Sequence, residues 1–207
     1  MSAVVQETSC RQQCLVERAF DIIAEEGFEG LRTRSVAQAA GISVATLHYY
    51  FPVKDHLIVA VAEYLSEQFR RQQAPAVSSV GHAAYDALRQ MLANHLYHRQ
   101  HCPHLMVVMQ EFLLRARRDV ALQQVLAALQ ARWHEEIKGW LQQGQQDGVF
   151  VRDVSADTLA YQIQSQLVGM SSLSLNEVTA KALLEALEQR ILLQQMHSDE
   201  GEVPDED

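Results

Sequence analysis

No apolar run in the chain is long enough to cross a membrane. The longest early run, Leu57 to Ala62, is stopped by Glu63 after six residues, far short of the roughly 20 that a spanning helix needs. The start of the chain has no basic stretch followed by an apolar segment, so neither a leader nor an anchor is expected. Cysteine is scarce: Cys10, Cys14 and Cys102 are an odd number at spacings that build no disulfide framework and no structural zinc site. Free thiols point to a reducing compartment, and the expected location is the cytoplasm. Enzyme signatures are missing too, with no GxSxG, P-loop, HExxH or GxGxxG. His134-Glu135-Glu136-Ile137 opens like a zincin helix, but Lys138 stands where the second histidine is required. The chain is therefore expected to be no enzyme and to carry no cofactor.

Alternating polar and apolar residues are absent, and only the stretch from Gly148 to Val154 is rich in β-branched side chains. Apolar residues recur instead at three and four, as on one face of a helix. Leu15, Ala19, Ile22 and Ile23 form a first stripe between Arg11 and Glu26, stopped by Gly27. Further stripes are Ala84, Leu88, Met91 and His95; Met106, Met109 and Leu113; Leu122, Leu126, Leu129, Trp133, Ile137 and Trp140. Two more follow, Ala160, Ile163, Leu167 and Met170, then Ala180, Leu184, Leu187 and Ile191. The four prolines all sit where a helix starts or a loop runs. The expected fold is all-α with about nine helices.

Positive charge is also in short supply, with a net charge of −9 over 207 residues. That balance opposes nucleic-acid binding, where Lys and Arg neutralise phosphates. Its distribution removes the objection. Six acidic residues and no base fall in 199–207, which reads as an acidic disordered tail. Between Leu31 and Lys54, in contrast, stand Arg32, Arg34 and Lys54 with no acid among them.

That cationic window contains TRSVAQAAGISVATLHYYFP, Thr33 to Pro52. A helix-turn-helix needs a small residue where its two helices touch, a residue tolerant of left-handed backbone in the turn, and apolar residues at the remaining contacts. Ala37 supplies the first and Gly41 the second, while Val36, Ala40, Ile42, Leu47 and Tyr50 fill the rest. Ser43 is placed to cap the second helix, with Val44, Ala45, Thr46, His48 and Tyr49 facing outward. Val44, Ala45 and the Thr46 methyl suit thymine methyl groups; the Thr46 hydroxyl, His48 and Tyr49 suit bases or phosphates. No Arg, Asn or Gln lies on this helix, so Arg34 is the candidate for bidentate base reading, and Lys54 with the amides that follow it is the candidate for phosphate. The competing reading is a helical hairpin whose Tyr49, Tyr50 and Phe51 serve as core.

Gly27-Phe28, Val36-Ala37, Ala40-Gly41-Ile42-Ser43, Thr46-Leu47, Tyr49-Tyr50-Phe51, and Lys54-Asp55 with Leu57 together resemble the TetR family of transcriptional regulators. The likeness covers residues 11 to 60, with a looser one from Trp140-Leu141 to Asp147-Gly148-Val149-Phe150. His48, Ala45 and Arg32 depart from the family's usual residues, Arg32 where a capping Ser or Thr is common; Thr33 is left to cap one residue later. The resemblance implies a three-helix DNA-binding unit in 1–55, a helical ligand-binding and dimerisation domain in 56–198, and the tail in 199–207. It further implies a ligand-responsive repressor that binds a pseudo-palindromic double-stranded operator as a homodimer paired through its last two helical stripes. Gly169, with Ser165, Ser171 and Ser172, would allow close approach there. The implied small-molecule inducer would meet Met91, His95, Met106, Met109, Phe112, Trp133 and Trp140, whose thioethers and rings suit an apolar or aromatic compound.

His95, His98, His101, Cys102 and His104 gather imidazoles and a thiol that suit zinc, nickel or copper. Histidines also collect in last helical turns for electrostatic reasons, and no metal is assigned to them. A helical metal-binding or small-molecule-binding protein, using its N-terminal helices only for packing, stays open as the alternative from another class.

Overall fold

The structure is a computed structural model and describes residues 2–192; the acidic tail expected in 199–207 lies outside the described residues. Nine helices are found among them: α1 Ser2–Gly30, α2 Thr33–Ala39, α3 Val44–Tyr50, α4 Lys54–Arg71, α5 Ala83–His101, α6 Pro103–Ala116, α7 Val120–Gln146, α8 Ala156–Ser171 and α9 Glu177–Ile191. The β-rich stretch contributes only an isolated antiparallel bridge, Phe150 to Leu192. Helix starts carry their reasons in the sequence. Ser155 Oγ accepts the amide of Thr158 and Asn176 Oδ1 that of Thr179, while Pro103 opens α6, where its missing N–H costs nothing.

The chain divides into two compact units, Met1–Gln73 with Tyr97–Ala131, and Ala74–Leu96 with Arg132–Asp207. In the first, α1 lies against α2, α4 and α6, and Ala19, Ile23, Val36, Val61, Leu105, Val108 and Phe112 are wholly buried. In the second, Ile137 and Leu141 of α7 pack with Phe150, with Ala160, Ile163 and Leu167 of α8, and with Leu184 and Leu187 of α9. Packing thus joins α6 to the N-terminal helices.

The stripes of α1, α8 and α9 are the buried faces: Leu15, Ala19, Ile22, Ile23, Ala160, Ile163, Leu167, Met170, Ala180, Leu184, Leu187 and Ile191 are all buried. Helix α1 begins earlier than its stripe and its regular geometry breaks at Gly27, φ 68° and ψ −173°. The α6 stripe is rotated from expectation. Leu105, Val108 and Phe112 face inward, one position from Met106, Met109 and Leu113, which are half-buried. Periodicity gives the spacing of an apolar face, but α6 is apolar nearly all round, and its neighbours α1 and α4 choose the side. In α5, Leu92 is buried where Met91 and His95 are only half-buried.

Candidate nucleic-acid interface

Helices α2 and α3 meet around Val36, Ala37 and Leu47, all buried, with Ala40, Ile42 and Tyr50 packed against them. Between the helices Gly41 takes φ 66°, the left-handed conformation the turn requires. The Ile42 amide then reaches back to the Ala37 carbonyl at 2.9 Å. Ser43 caps α3, its Oγ accepting the Thr46 amide at 3.1 Å. Thr46 is half-buried and its hydroxyl lies 2.8 Å from Ser43 Oγ, so part of its hydrogen-bonding capacity goes into the cap.

Val44, Ala45, His48 and Tyr49 form the exposed face of α3, related by three and four residues. Tyr49 is 76% exposed, its ring edge-on to Tyr50 at 5.1 Å, while Phe51 is 7% exposed. The aromatic triplet is therefore split: Phe51 is core, Tyr50 is the boundary, and Tyr49 stands in solvent. A hairpin that used these rings only for packing would leave no reason for an exposed Tyr49.

Arg34 is exposed on the first turn of α2. Arg32, not Thr33, is the N-cap, because the Val36 amide bonds the Arg32 carbonyl at 3.1 Å and this closes the first turn there. No side chain caps that turn. Lys54 opens α4 behind Val53, which likewise offers no capping side chain. Arg32, Thr33 and Lys54 rim one small crevice floored by Leu31, Val36, Leu47, Phe51 and Leu57. Arg32 and Lys54 thus stand at the starts of two helices that no side chain caps. Arg32 was not among the sequence-derived site residues. Its membership depends on α2 and α4 meeting at their N-termini, and the shared lack of an acid between Leu31 and Lys54 was the only sequence trace of it.

The residues expected to meet an inducer are divided between the units. Met106, Met109 and Phe112 belong to the first; Phe112 is wholly buried, its ring 5.1 Å from that of Phe28. Met91, Trp133 and Trp140 pack against the core of the second, where half-buried His95 also lies.

The histidine-rich stretch is dispersed. His98 Nε2–H donates to the Gln72 carbonyl, the Cys102 thiol donates to Gln72 Oε1 at 2.9 Å, His101 tilts against Tyr97, and His104 meets Phe20. Among the described residues no three His, Cys, Asp or Glu side chains are grouped to hold a metal. Burial pushes the His98 imidazole below its ordinary 6.5, against the opposing pull of the Gln72 and Phe69 carbonyls. The unfolded chain then takes up the proton more readily, so this contribution to stability is complete above about pH 6.5 and is lost as pH falls toward the folded value. Denaturant unfolding should show stability dropping as pH falls below about 6.5, with His98→Phe flattening that slope. An unchanged slope would contradict a neutral buried imidazole.

A family model described as bacterial regulatory proteins of the tetR family matches residues 15–61, and one described as the C-terminal part of BetI-type transcriptional repressors matches residues 84–194. The chain belongs to the TetR family. The regulator RutR of Escherichia coli K12 is 38% identical over 53 residues, 26% of this chain and 25% of RutR. The repressor KstR of Mycolicibacterium smegmatis is 34% identical over 64 residues, 31% of this chain and 30% of KstR. Each alignment spans well under half of the relative's length. Solved structures align over nearly all of the chain. A putative TetR-family regulator from Rhodococcus sp. has a TM-score of 0.75 at 24% identity, covering 89% of this chain and 100% of that one. A putative transcriptional regulator from Saccharomonospora viridis, in complex with choline, has 0.75 at 22%, covering 90% and 100%. At such identities these structures establish the fold. No described helix of this TetR-family chain is long and apolar enough to cross a membrane.

Proposed function

We propose that the chain is a cytoplasmic, ligand-responsive repressor that binds a pseudo-palindromic operator as a homodimer. The observation that carries the DNA-reading surface is the outward face of α3, with Tyr49 in solvent beside buried Leu47, flanked by exposed Arg34 and Lys54. Val44, Ala45 and His48 complete the surface, and Ser43 and Thr46 hold its first turn. Support for pairing comes from α8 and α9. Tyr161, Val168, Val178 and Leu183 are exposed on them, and a Cβ at Gly169 would meet nothing within 4 Å, so a second copy has room to approach. Two heads related by a two-fold axis would sit one helical turn of DNA apart.

The expected apolar or aromatic inducer would meet Met91, His95, Trp133 and Trp140 of the second unit. The choline held by the Saccharomonospora viridis regulator, together with the two indoles here, adds quaternary ammonium compounds to the classes worth screening by thermal shift.

Selection of bound fragments from random and genomic DNA tests the reading. The expected product is an inverted repeat with half-site centres about 34–36 Å apart, bound by two chains. Affinity should fall steeply with salt, by a slope of about 0.9 per phosphate contacted on a log–log plot. Recovery of no preferred sequence would sink the operator reading, and one chain per duplex would sink the dimer.

A further inference from the structure

Helix α6 carries a carboxylate that reaches the backbone just ahead of the reading head. Gly27, at φ 68° and ψ −173°, swings the chain out of α1, and its ψ turns the next peptide N–H away from the helical ladder. That amide, Phe28 N, donates to Glu111 Oε2 at 3.1 Å, across 83 residues of sequence. The fit is close: a Cβ at residue 27 would stand 3.1 Å from Glu111 Oε2 and 3.3 Å from Cδ. The Phe28 ring is held by the same helix, 5.1 Å from the ring of Phe112 and 5.8 Å from the guanidinium of Arg115, one turn beyond Glu111. Four residues after Phe28 comes Arg32, the N-cap of α2. The chain has no slack between them, since the Leu31 amide bonds the Phe28 carbonyl and the Arg32 amide the Gly30 carbonyl.

We propose that Glu111 is a positioning residue for DNA recognition: by accepting the Phe28 amide it sets where α2 begins, and with it the placement of Arg32 and Arg34 relative to α3. The proposal rests on the DNA-reading surface described above. An amide left without its acceptor in a partly buried place seeks another, and the short Phe28–Leu31 connection moves with it. Specific binding depends on side chains held to within a fraction of an ångström, whereas non-specific binding depends on summed charge and tolerates such a shift.

Two measurements on the full-length chain test this. Without DNA, amide hydrogen exchange at Phe28 should be slow in the unsubstituted chain and in Glu111→Gln, which keeps the acceptor at the same reach. It should be fast in Glu111→Leu and in Glu111→Asn, whose shorter side chain falls short while keeping the site polar and the helix foldable. With DNA, affinity for the selected operator fragment should drop about tenfold in the Leu and Asn variants and stay within about twofold in Gln. Affinity for a random duplex of equal length should be the same in the three variants, each of which removes the same one negative charge. Slow Phe28 exchange in the Asn variant would overturn the hydrogen bond, and fast exchange with full operator preference would overturn the positioning role. A chain whose Phe28 exchanges as expected but which prefers no sequence would overturn the reading surface and this role with it.

Discussion

Arg34→Ala is expected to weaken operator binding by about 1–3 kcal/mol for each reading head and to relax sequence preference at one position in each half-site. Helix α3 presents Val44, Ala45, His48 and Tyr49, none of which forms the two-pronged hydrogen bond that singles out guanine. Arg34 is exposed on α2, the helix packed against α3, and carries the guanidinium that such a contact needs. Lys54→Ala should behave differently. It would remove the proposed phosphate contact, so affinity should fall alike for all sequences and the salt slope shrink by about one per head. Tyr49→Ala removes a solvent-exposed ring with both apolar and hydroxyl contacts to offer DNA, and should cost affinity without touching the core. All three side chains are exposed, so thermal stability should move by no more than about 0.5 kcal/mol. Fluorescence anisotropy on the selected operator and on single-base variants of it separates these outcomes. Full affinity and full preference in Arg34→Ala would show that the reading surface lies elsewhere.

Gly144→Val is expected to lower Tm by about 6–12 °C, taking about 3 kcal/mol for an overpacked core and about 2–4 °C per kcal/mol for a chain of this size. A Cβ at residue 144 would lie 2.1 Å from Phe150 Cδ2 and 2.3 Å from Cε2, inside any permissible contact. Phe150 has nowhere to retreat: its side chain is wholly buried, and its backbone is tied down where the Gly144 carbonyl accepts the amides of Val149 and Phe150 at 2.8 and 3.2 Å. Gly139, five residues earlier on the same helix, provides the control. A Cβ there meets nothing within 4 Å, so Gly139→Ala should raise stability by about 0.5–1 kcal/mol through helix propensity. A calorimetric scan in which both variants changed Tm alike would refute the steric account.

Much of the site was legible before the fold was known because a helix-turn-helix is local. Its contacts join residues close in sequence, so Ala37, Gly41, Ser43 and Leu47 announce themselves by type and spacing. Burial within α3 follows from the same periodicity, which turns Leu47 inward and Tyr49 outward, while Phe51 lies just past the end of the helix. The rotated face of α6 was not legible. Leu105, Met106, Val108, Met109 and Phe112 are all apolar, and spacing among them fits more than one stripe. Likewise the inducer candidates were gathered by type, and the structure assigns them to two different packing units.

The sequence by itself determined the helices, the left-handed turn at Gly41, the Ser43 cap and the exposed face of α3, each through interactions that span three or four residues. Tertiary structure decided what those elements meet. It brought Arg32 to Lys54, set Phe150 over Gly144, and carried Glu111 to the Phe28 amide. Such contacts depend on the directions of whole helices, and helix direction is settled by the burial of many side chains together, which no single stretch of sequence encodes.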